Sequence, residues 1–156
     1  MTEQRQELII TKLKDGTVID HIPQGKSLDI LNALGILKKT KDTIAVIMCV
    51  DSKKIGKKDL LKLNNFELEH MSAGKIAVIA PGSTIAIVKD YRVVSKCKAA
   101  IPDVLVSSLR CINSNCISNT KEDITSRFKV VSKEPLKVRC HYCERTFSDD
   151  GIVIDV

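Results

Sequence analysis

Four of the six cysteines fall as two pairs in the last third of the chain. Cys111 and Cys116 close the loop C-I-N-S-N-C, Cys140 and Cys143 close the tighter loop C-H-Y-C, and 23 residues separate the two. Zinc takes four thiolates at the corners of a tetrahedron, with Zn–S near about 2.3 Å. A turn with two or four intervening residues aims two sulfurs at one point, and two such turns complete a cage with no position left for water. Such a cage is structural rather than catalytic. The rival readings are two disulfides or four unrelated buried thiols. Met1-Thr2-Glu3-Gln4-Arg5 does not lead into a secretory pattern, and no apolar run approaches the ~18 residues of a membrane span. In a reducing cytosol, cysteine pairs at this spacing are ligands more often than bridges. One structural Zn(2+) per chain and a cytoplasmic location are therefore expected. His141, inside the second loop, is read as a loop residue because the pairs already supply four sulfurs.

No other chemistry converges. The sequence has no P-loop, Rossmann glycine pattern, His-Glu-x-x-His or Gly-x-Ser-x-Gly. His21, His70 and His141 stand in unrelated settings. His21 beside Asp20 has the composition of an acid–base pair, but adjacent strand residues point to opposite faces. A chain that is not an enzyme is expected.

Charge is unevenly spread. Residues 1–100 carry 17 Lys/Arg against 11 Asp/Glu, whereas residues 101–156 carry 8 of each. A reader of DNA or RNA presents a basic face, so a neutral metal module counts against nucleic acid as partner. The positive excess on the other half suits a phosphate-bearing ligand, although a solvated lysine-rich surface is the commoner cause of such an excess. With no Trp, two Tyr and three Phe, the cores are aliphatic.

The elements that position these residues follow from periodicity. Glu7 to Leu13 reads as a strand, Asp15-Gly16 as a turn and Thr17 to Ile22 as a short extended segment stopped by Pro23. A helix follows, with Ser27 as N-cap, a stripe of Leu28, Leu31, Ala33, Leu34 and Ile36, and Gly35 at its end. Thr43 to Val50 is a continuous apolar run, as in a central strand covered on both faces, with Cys49 as a buried core thiol. A basic loop over Ser52 to Lys58 precedes the strand Asp59–Leu63, and Phe66 to Lys75 reads as a short helix broken by Gly74. Ile76 to Ala80 and Ser83 to Val88 read as strands joined through Pro81-Gly82, followed by Tyr91 to Val94. This order predicts an α+β sandwich whose mostly antiparallel sheet has its helices on one face. Pro102 marks a linker over 99–103, dividing a domain over 1–98 from a small all-β, zinc-ribbon-like domain over 104–156. In the latter, Arg127–Val131 and Leu136–Arg139 alternate as half-exposed strands. Small domains of this kind rarely gain more than ~3–5 kcal/mol from burial, whereas structural zinc contributes about 10–16 kcal/mol. The metal decides whether the module folds.

Two stretches together resemble the regulatory chain of aspartate carbamoyltransferase: Gly16-Thr17-Val18-Ile19-Asp20-His21-Ile22-Pro23 and Asn113-Ser114-Asn115-Cys116-Ile117. Gly56-Lys57-Lys58-Asp59-Leu60-Leu61-Lys62 and Cys140-His141-Tyr142-Cys143-Glu144 match its other signatures, in the same order along the chain. The resemblance implies a ferredoxin-like N-terminal domain that binds nucleoside triphosphates and a C-terminal zinc domain that docks on a catalytic chain. It further implies regulatory-chain homodimers bridging two catalytic trimers in pyrimidine biosynthesis, with CTP inhibiting and ATP activating in many members and UTP acting in some.

Residue by residue, the resemblance places Lys62 and Lys96 at the ribose and phosphates, with Lys58 nearby. It places Asp20 at the ribose and His21 at the phosphates, the backbone of Ile10, Thr11, Lys12 and Leu13 at the base edge, and Val18, Leu60, Tyr91 and Val93 around the site. Where members of the family carry an asparagine this chain has Ala86, which bears on effector preference rather than on nucleotide binding itself. Asn113, Asn115, Glu144 and Arg145 match the surface offered to the catalytic chain; loop asparagines also bond cysteine sulfurs or cap turns. The competing class is a nucleic-acid-binding zinc-ribbon factor, and a stand-alone metal enzyme would need the open ligand position that four cysteines deny.

Overall fold

The computed structural model describes residues 11–156. Its first unit runs β1 (Gly16–Pro23), α1 (Ser27–Leu34), β2 (Ile44–Ser52), β3 (Gly56–Asn64), α2 (His70–Ile79), β4 (Thr84–Lys89) and β5 (Arg92–Lys98). The strands form one antiparallel sheet in the order β2-β3-β1-β4-β5. A βαββαβ chain with β1 and β3 at the centre is the ferredoxin-like arrangement, here extended by β5. Ile19, Leu61 and Leu63 from the sheet pack with Ile30 and Leu31 of α1 and Ile76 of α2 in one aliphatic core. Among the described residues no helix packs on the opposite face of the sheet.

The second unit holds β6 (Val104–Val106), β7 (Leu109–Arg110), the one-turn α3 (Ile117–Thr120), β8 (Arg127–Lys133), β9 (Leu136–Cys140), β10 (Thr146–Ser148) and β11 (Val153–Ile154). These make a four-stranded sheet, β10-β9-β8-β6, and a two-stranded one, β11-β7. Phe128 and Phe147 stack obliquely in its core, 6.3 Å between ring centres.

Several elements depart from the sequence expectation. Ile76 to Ile79 is not a strand but the second half of α2, where Ile76 and Ala77 are buried. A short apolar run does not by itself separate a buried strand from a buried helix. Gly74 lies within that helix instead of breaking it, and a segment of the second unit passes against it: a Cβ there would meet Ser108 Oγ at 2.7 Å and Leu105 Cδ2 at 3.4 Å. The apolar run at residues 44–50 is an edge strand rather than a central one, with Val46, Met48 and Cys49 exposed. Ser27 is not the N-cap; that place falls to Lys26, which makes no side-chain cap, and Ser27 is buried one position on. Of the helical stripe, Leu31, Ala33 and Ile36 are buried as expected and Leu34 packs against the core, whereas Leu28 is exposed and Ile30 is buried instead. Gly35 does end α1, in the left-handed conformation at φ 62°. The anticipated basic loop is shorter than expected, since Gly56–Lys58 already belong to β3. Of the strand expected over Glu7 to Leu13, Glu7–Ile10 lie outside the described residues, and Thr11–Leu13 have no regular structure.

The stretch 99–103 lacks regular structure but is not loose. Ala99 donates its N–H to Ser83 O and accepts from Gly82 N, each at 2.8 Å, and Ala99 and Ile101 are buried. Ile76, Ala77 and Ile101 share one apolar cluster with Leu105, Leu109 and the cysteines of the second unit.

Candidate metal centre and ligand face

The two cysteine loops meet because β8 and β9 carry Cys140 back against the α3 turn that begins after Cys116. All four sulfurs lie within 4.8 Å of one another. Cys111 Sγ and Cys143 Sγ are 3.7 Å apart, as are Cys116 Sγ and Cys140 Sγ. A tetrahedron with metal–sulfur arms of about 2.3 Å has edges of about 3.8 Å, so the sulfurs stand at ligand spacing and not at bonding distance. Each cysteine is free. The donor set fits one zinc ion, held by Cys111, Cys116, Cys140 and Cys143. His141 is exposed and outside the cluster; its N–H bonds Arg127 O at 2.9 Å.

Donors around the sulfurs favour the thiolate form. Burial raises the Cys116 thiol, but the hydroxyl of Ser118 at 3.2 Å and the Ser118 N–H outweigh it and bring its pKa to about 7. Burial likewise raises Cys143, and the Arg145 N–H and the Asn113 side chain turn the balance downward. Cys111 and Cys140 stay raised, chiefly by burial; a bound cation reverses that balance by stabilising the anion directly.

The residues expected to face a catalytic chain lie on the loops around this centre. Asn113 is half-buried: its Oδ1 accepts from Asn115 N at 3.2 Å, and its carbonyl accepts from Cys116 N at 2.9 Å and from Asn119 Nδ2 at 2.8 Å. Asn119 Nδ2 also reaches Cys111 O at 2.7 Å, which ties α3 to both ends of the first loop. Sequence reasoning did not single out Ser118 or Asn119, whose positions two and three residues past a ligand were the available signal. Asn115, Glu144 and Arg145 are exposed, Glu144 at φ 62° with its carboxylate 3.7 Å from Arg139.

On the helix-free face of the first unit, strand register assembles the other residues. Cross-strand partners share a face, so Ala45, Lys62, Val18, Ala86 and Lys96 form one row across all five strands. In the adjacent row Asp20 pairs with Thr84, and Thr84 with Lys98. Asp20 and His21 are not on opposite faces. The pairing of β1 with β3 slips between Ile19 and Ile22, and His21 takes φ 57°. A bulge of this kind re-aims side chains. His21 Nδ1 consequently lies 3.8 Å from Asp20 Oδ2 and 3.4 Å from Thr84 Oγ1. Lys58 Nζ donates to Asp20 Oδ1 at 2.7 Å. Burial pushes the Asp20 carboxyl up, but the Lys58 hydrogen bond and the His21 N–H prevail and hold it below the usual aspartate value.

Leu60 is half-buried on the same strand. Lys62 Nζ reaches Thr11 O at 3.4 Å, which brings the segment of Thr11, Lys12 and buried Leu13 to this face. Ile10 lies outside the described residues. Tyr91 and Val93 sit exposed at the β4–β5 turn, where Tyr91 N bonds Lys14 O at 2.9 Å. Sequence reasoning did not single out Thr84 or Lys98, which the register brings to this face; they lie two residues from Ala86 and Lys96, the period of one strand face.

Comparison with known proteins agrees with both halves. Residues 8–100 match the family model "Aspartate carbamoyltransferase regulatory chain, allosteric domain", and residues 103–153 match the same chain's metal binding domain. Aspartate carbamoyltransferase regulatory chains from Pyrococcus abyssi and Thermococcus gammatolerans are 46% and 48% identical. The first alignment covers 96% of this chain and 99% of its relative, the second 94% and 97%. That from Thermoplasma acidophilum is 42% identical over 93% of this chain and 96% of its own. With four sulfurs at zinc spacing and near full-length relatives on both units, the chain belongs to the family of aspartate carbamoyltransferase regulatory chains.

Proposed function

We propose that this non-catalytic regulatory subunit binds nucleoside triphosphates on the helix-free face of its first unit and carries their effect to a catalytic chain gripped by the zinc loops. The observation that supports the ligand site is the row Lys62–Val18–Ala86–Lys96, flanked by Lys58, Asp20, His21 and Thr84. Lysines supply charge to a triphosphate without the bidentate geometry of arginine, which suits reversible occupancy. Asp20 accepts from the ribose, His21 and the lysines face the phosphates, and the Thr11–Leu13 backbone reads the base. CTP, ATP and UTP share this chemistry. Ala86 leaves the centre of the row without an amide, so selection among bases falls to backbone groups.

Asn113, Asn115, Glu144 and Arg145 form the docking surface, and zinc gives their loops a fixed shape. Two copies of the chain pair through β2, whose outer edge pairs with no other strand among the described residues and shows Val46 and Met48 to solvent. The paired chains bridge two catalytic trimers. The boundaries 1–98 and 104–156 separate the two tasks, with 99–103 between them. The location is the cytoplasm; among the described residues no helix is long and apolar enough to cross a membrane. One observation favours a nucleic-acid-binding ribbon instead: Arg127 and Lys129 of β8 and Lys137 and Arg139 of β9 alternate onto the exposed face of the second sheet. Arg139 is already engaged by Glu144, and the family match counts against that reading. Salt-dependent binding to DNA or RNA would restore it.

The test is Lys62→Ala in the zinc-loaded chain reconstituted with a catalytic chain. A hydrogen bond to a charged group is worth about 1.5–3 kcal/mol, so CTP binding weakens roughly ten- to a hundredfold while assembly persists. Unchanged ATP and CTP titrations remove this face from the account.

A further inference from the structure

β3 is flanked by a bulge on each side, and both occur at the same level. On β1 the slip lies between Ile19 and Ile22, opposite Leu61 and Asp59; on β2 it lies between Ile47 and Val50, opposite Leu60 and Lys58. Each bulge contains a residue in the left-handed region, His21 at φ 57° and Cys49 at φ 60°. Between them stands Asp59, with 0% of its surface exposed and no ion-pair partner among the described residues. Its two oxygens face different elements. Oδ1 accepts the Cys49 N–H at 3.1 Å, so it holds the bulge of the edge strand. Oδ2 accepts Ser27 Oγ at 2.7 Å, Gly25 N at 2.9 Å and Ser27 N at 3.4 Å, so it holds the exit of β1 and the first turn of α1.

A buried carboxylate needs its hydrogen bonds made, and here those bonds come from two places, the bulge of β2 and the turn that joins β1 to α1. An anion at the start of α1 is further stabilised by the helix dipole. The bulge on β1 puts His21 beside Asp20 and Thr84, and the residue preceding Asp59, Lys58, closes that group. Neither oxygen moves without releasing either the β2 bulge or the turn between β1 and α1.

We propose that Asp59 is a positioning residue that ties the β2 edge, where a second copy of the chain docks, to the turn that leaves β1 directly after the bulge shaping the nucleotide face, where Asp59 also pairs with Ile22, so that occupancy of one is felt at the other. This rests on the effector reading above and adds the residue that carries it sideways through the sheet. Asp59→Asn keeps the shape but replaces one acceptor with an N–H₂ donor, which faces an N–H and releases one side of the clamp.

The experiment uses full-length, zinc-loaded chain well below its unfolding temperature. It measures CTP affinity by calorimetry and hydrogen exchange of the Cys49 amide with and without CTP. In wild type, CTP slows exchange at Cys49. In Asp59→Asn the dissociation constant rises about tenfold and the CTP effect at Cys49 is lost. Ile30→Val loosens the same core without touching the carboxylate and binds CTP as wild type does. A folded Asp59→Asn chain that binds like wild type overturns the inference, and so does Ile30→Val weakening binding equally. If Asp59→Asn does not fold, Ser27→Ala decides: a rise of about threefold is expected, and no rise overturns the proposal. Wild type that binds no CTP removes the effector reading itself, and this inference with it, whereas normal wild-type binding with an unaffected variant removes the inference alone.

Discussion

Replacing Gly74 with Ala tests whether the two units are packed together or merely tethered. In an exposed helix interior the change stabilises by about 1 kcal/mol, because Ala has the better helix propensity. In α2 the new methyl would stand 2.7 Å from Ser108 Oγ and 3.4 Å from Leu105 Cδ2. Ser108 is buried, with 1% of its surface exposed, and its hydroxyl donates to Val106 O at 3.1 Å. Turning that hydroxyl away forfeits a hydrogen bond worth about 1 kcal/mol, or more if the oxygen is left buried and unpaired. Forcing a methyl into a packed contact costs about 1–3 kcal/mol. Set against the propensity gain, the net destabilisation is about 1–3 kcal/mol.

The assay is urea unfolding of the zinc-loaded chain, followed by circular dichroism for α2 and by metal release for the second unit. Gly74→Ala lowers both midpoints together. Adding Ser108→Gly removes the obstructing hydroxymethyl and recovers most of the loss, a coupling visible in a double-mutant cycle. A single variant more stable than wild type by about 1 kcal/mol would mean that α2 and the second unit do not touch in solution.

Two further outcomes follow from the same contacts. Stripping zinc with a strong chelator, or substituting Cys111→Ala, unfolds residues 104–156; because Ile76 and Ala77 share their apolar cluster with Leu105 and Leu109, α2 also loses protection while the β1–β3 core persists, read by limited proteolysis and hydrogen exchange, and a C-terminal half that stays resistant without metal refutes the dependence. For pH, burial raises the Asp59 carboxyl but the Ser27 hydroxyl, the Cys49 N–H and the turn amides lower it further, leaving it below the ordinary 3.8. A depressed folded-state pKa contributes stability that is complete above 3.8 and lost as pH falls through the folded value. The stability difference between wild type and Asp59→Asn is therefore flat above about pH 5 and shrinks below 3.8; a difference that grows in acid contradicts the assignment.

Legibility in the sequence varied with the kind of information a feature needs. The cysteine spacing is local and chemically selective, so the metal cluster could be read directly. The row proposed to hold the ligand was suggested only by resemblance, because Lys62, Val18 and Lys96 come onto one face through the register of four strands. Alternation predicted that Asp20 and His21 diverge, and a single bulge reversed it. Burial of Cys49 was expected from an apolar run, yet the strand lies at the sheet edge, where apolar residues await a partner or face water. The α2 error has a similar origin: Ile76-Ala77-Val78-Ile79 satisfies either period, and the reason a glycine is accommodated within the helix, the passage of Leu105 and Ser108 against Gly74, is a contact between residues some 30 positions apart.

That contact also bears on how an effector could reach a partner. A flexible linker between the units would isolate them, since a strain applied at one end would be spent in linker entropy. Here β5 leads from Lys96 straight into Ala99, which is hydrogen-bonded at both its N–H and its carbonyl to the turn after α2. Ile101 is then buried, and β6 begins three residues later with Leu105 in the shared cluster. The path from the proposed ligand row to the zinc module consists of strand, anchored turn and buried side chain. Such a path transmits only if it has two packed arrangements, and the contact best placed to differ between them is the close approach of Gly74 to Ser108, where a glycine leaves no side chain to lock one alignment of helix and strand.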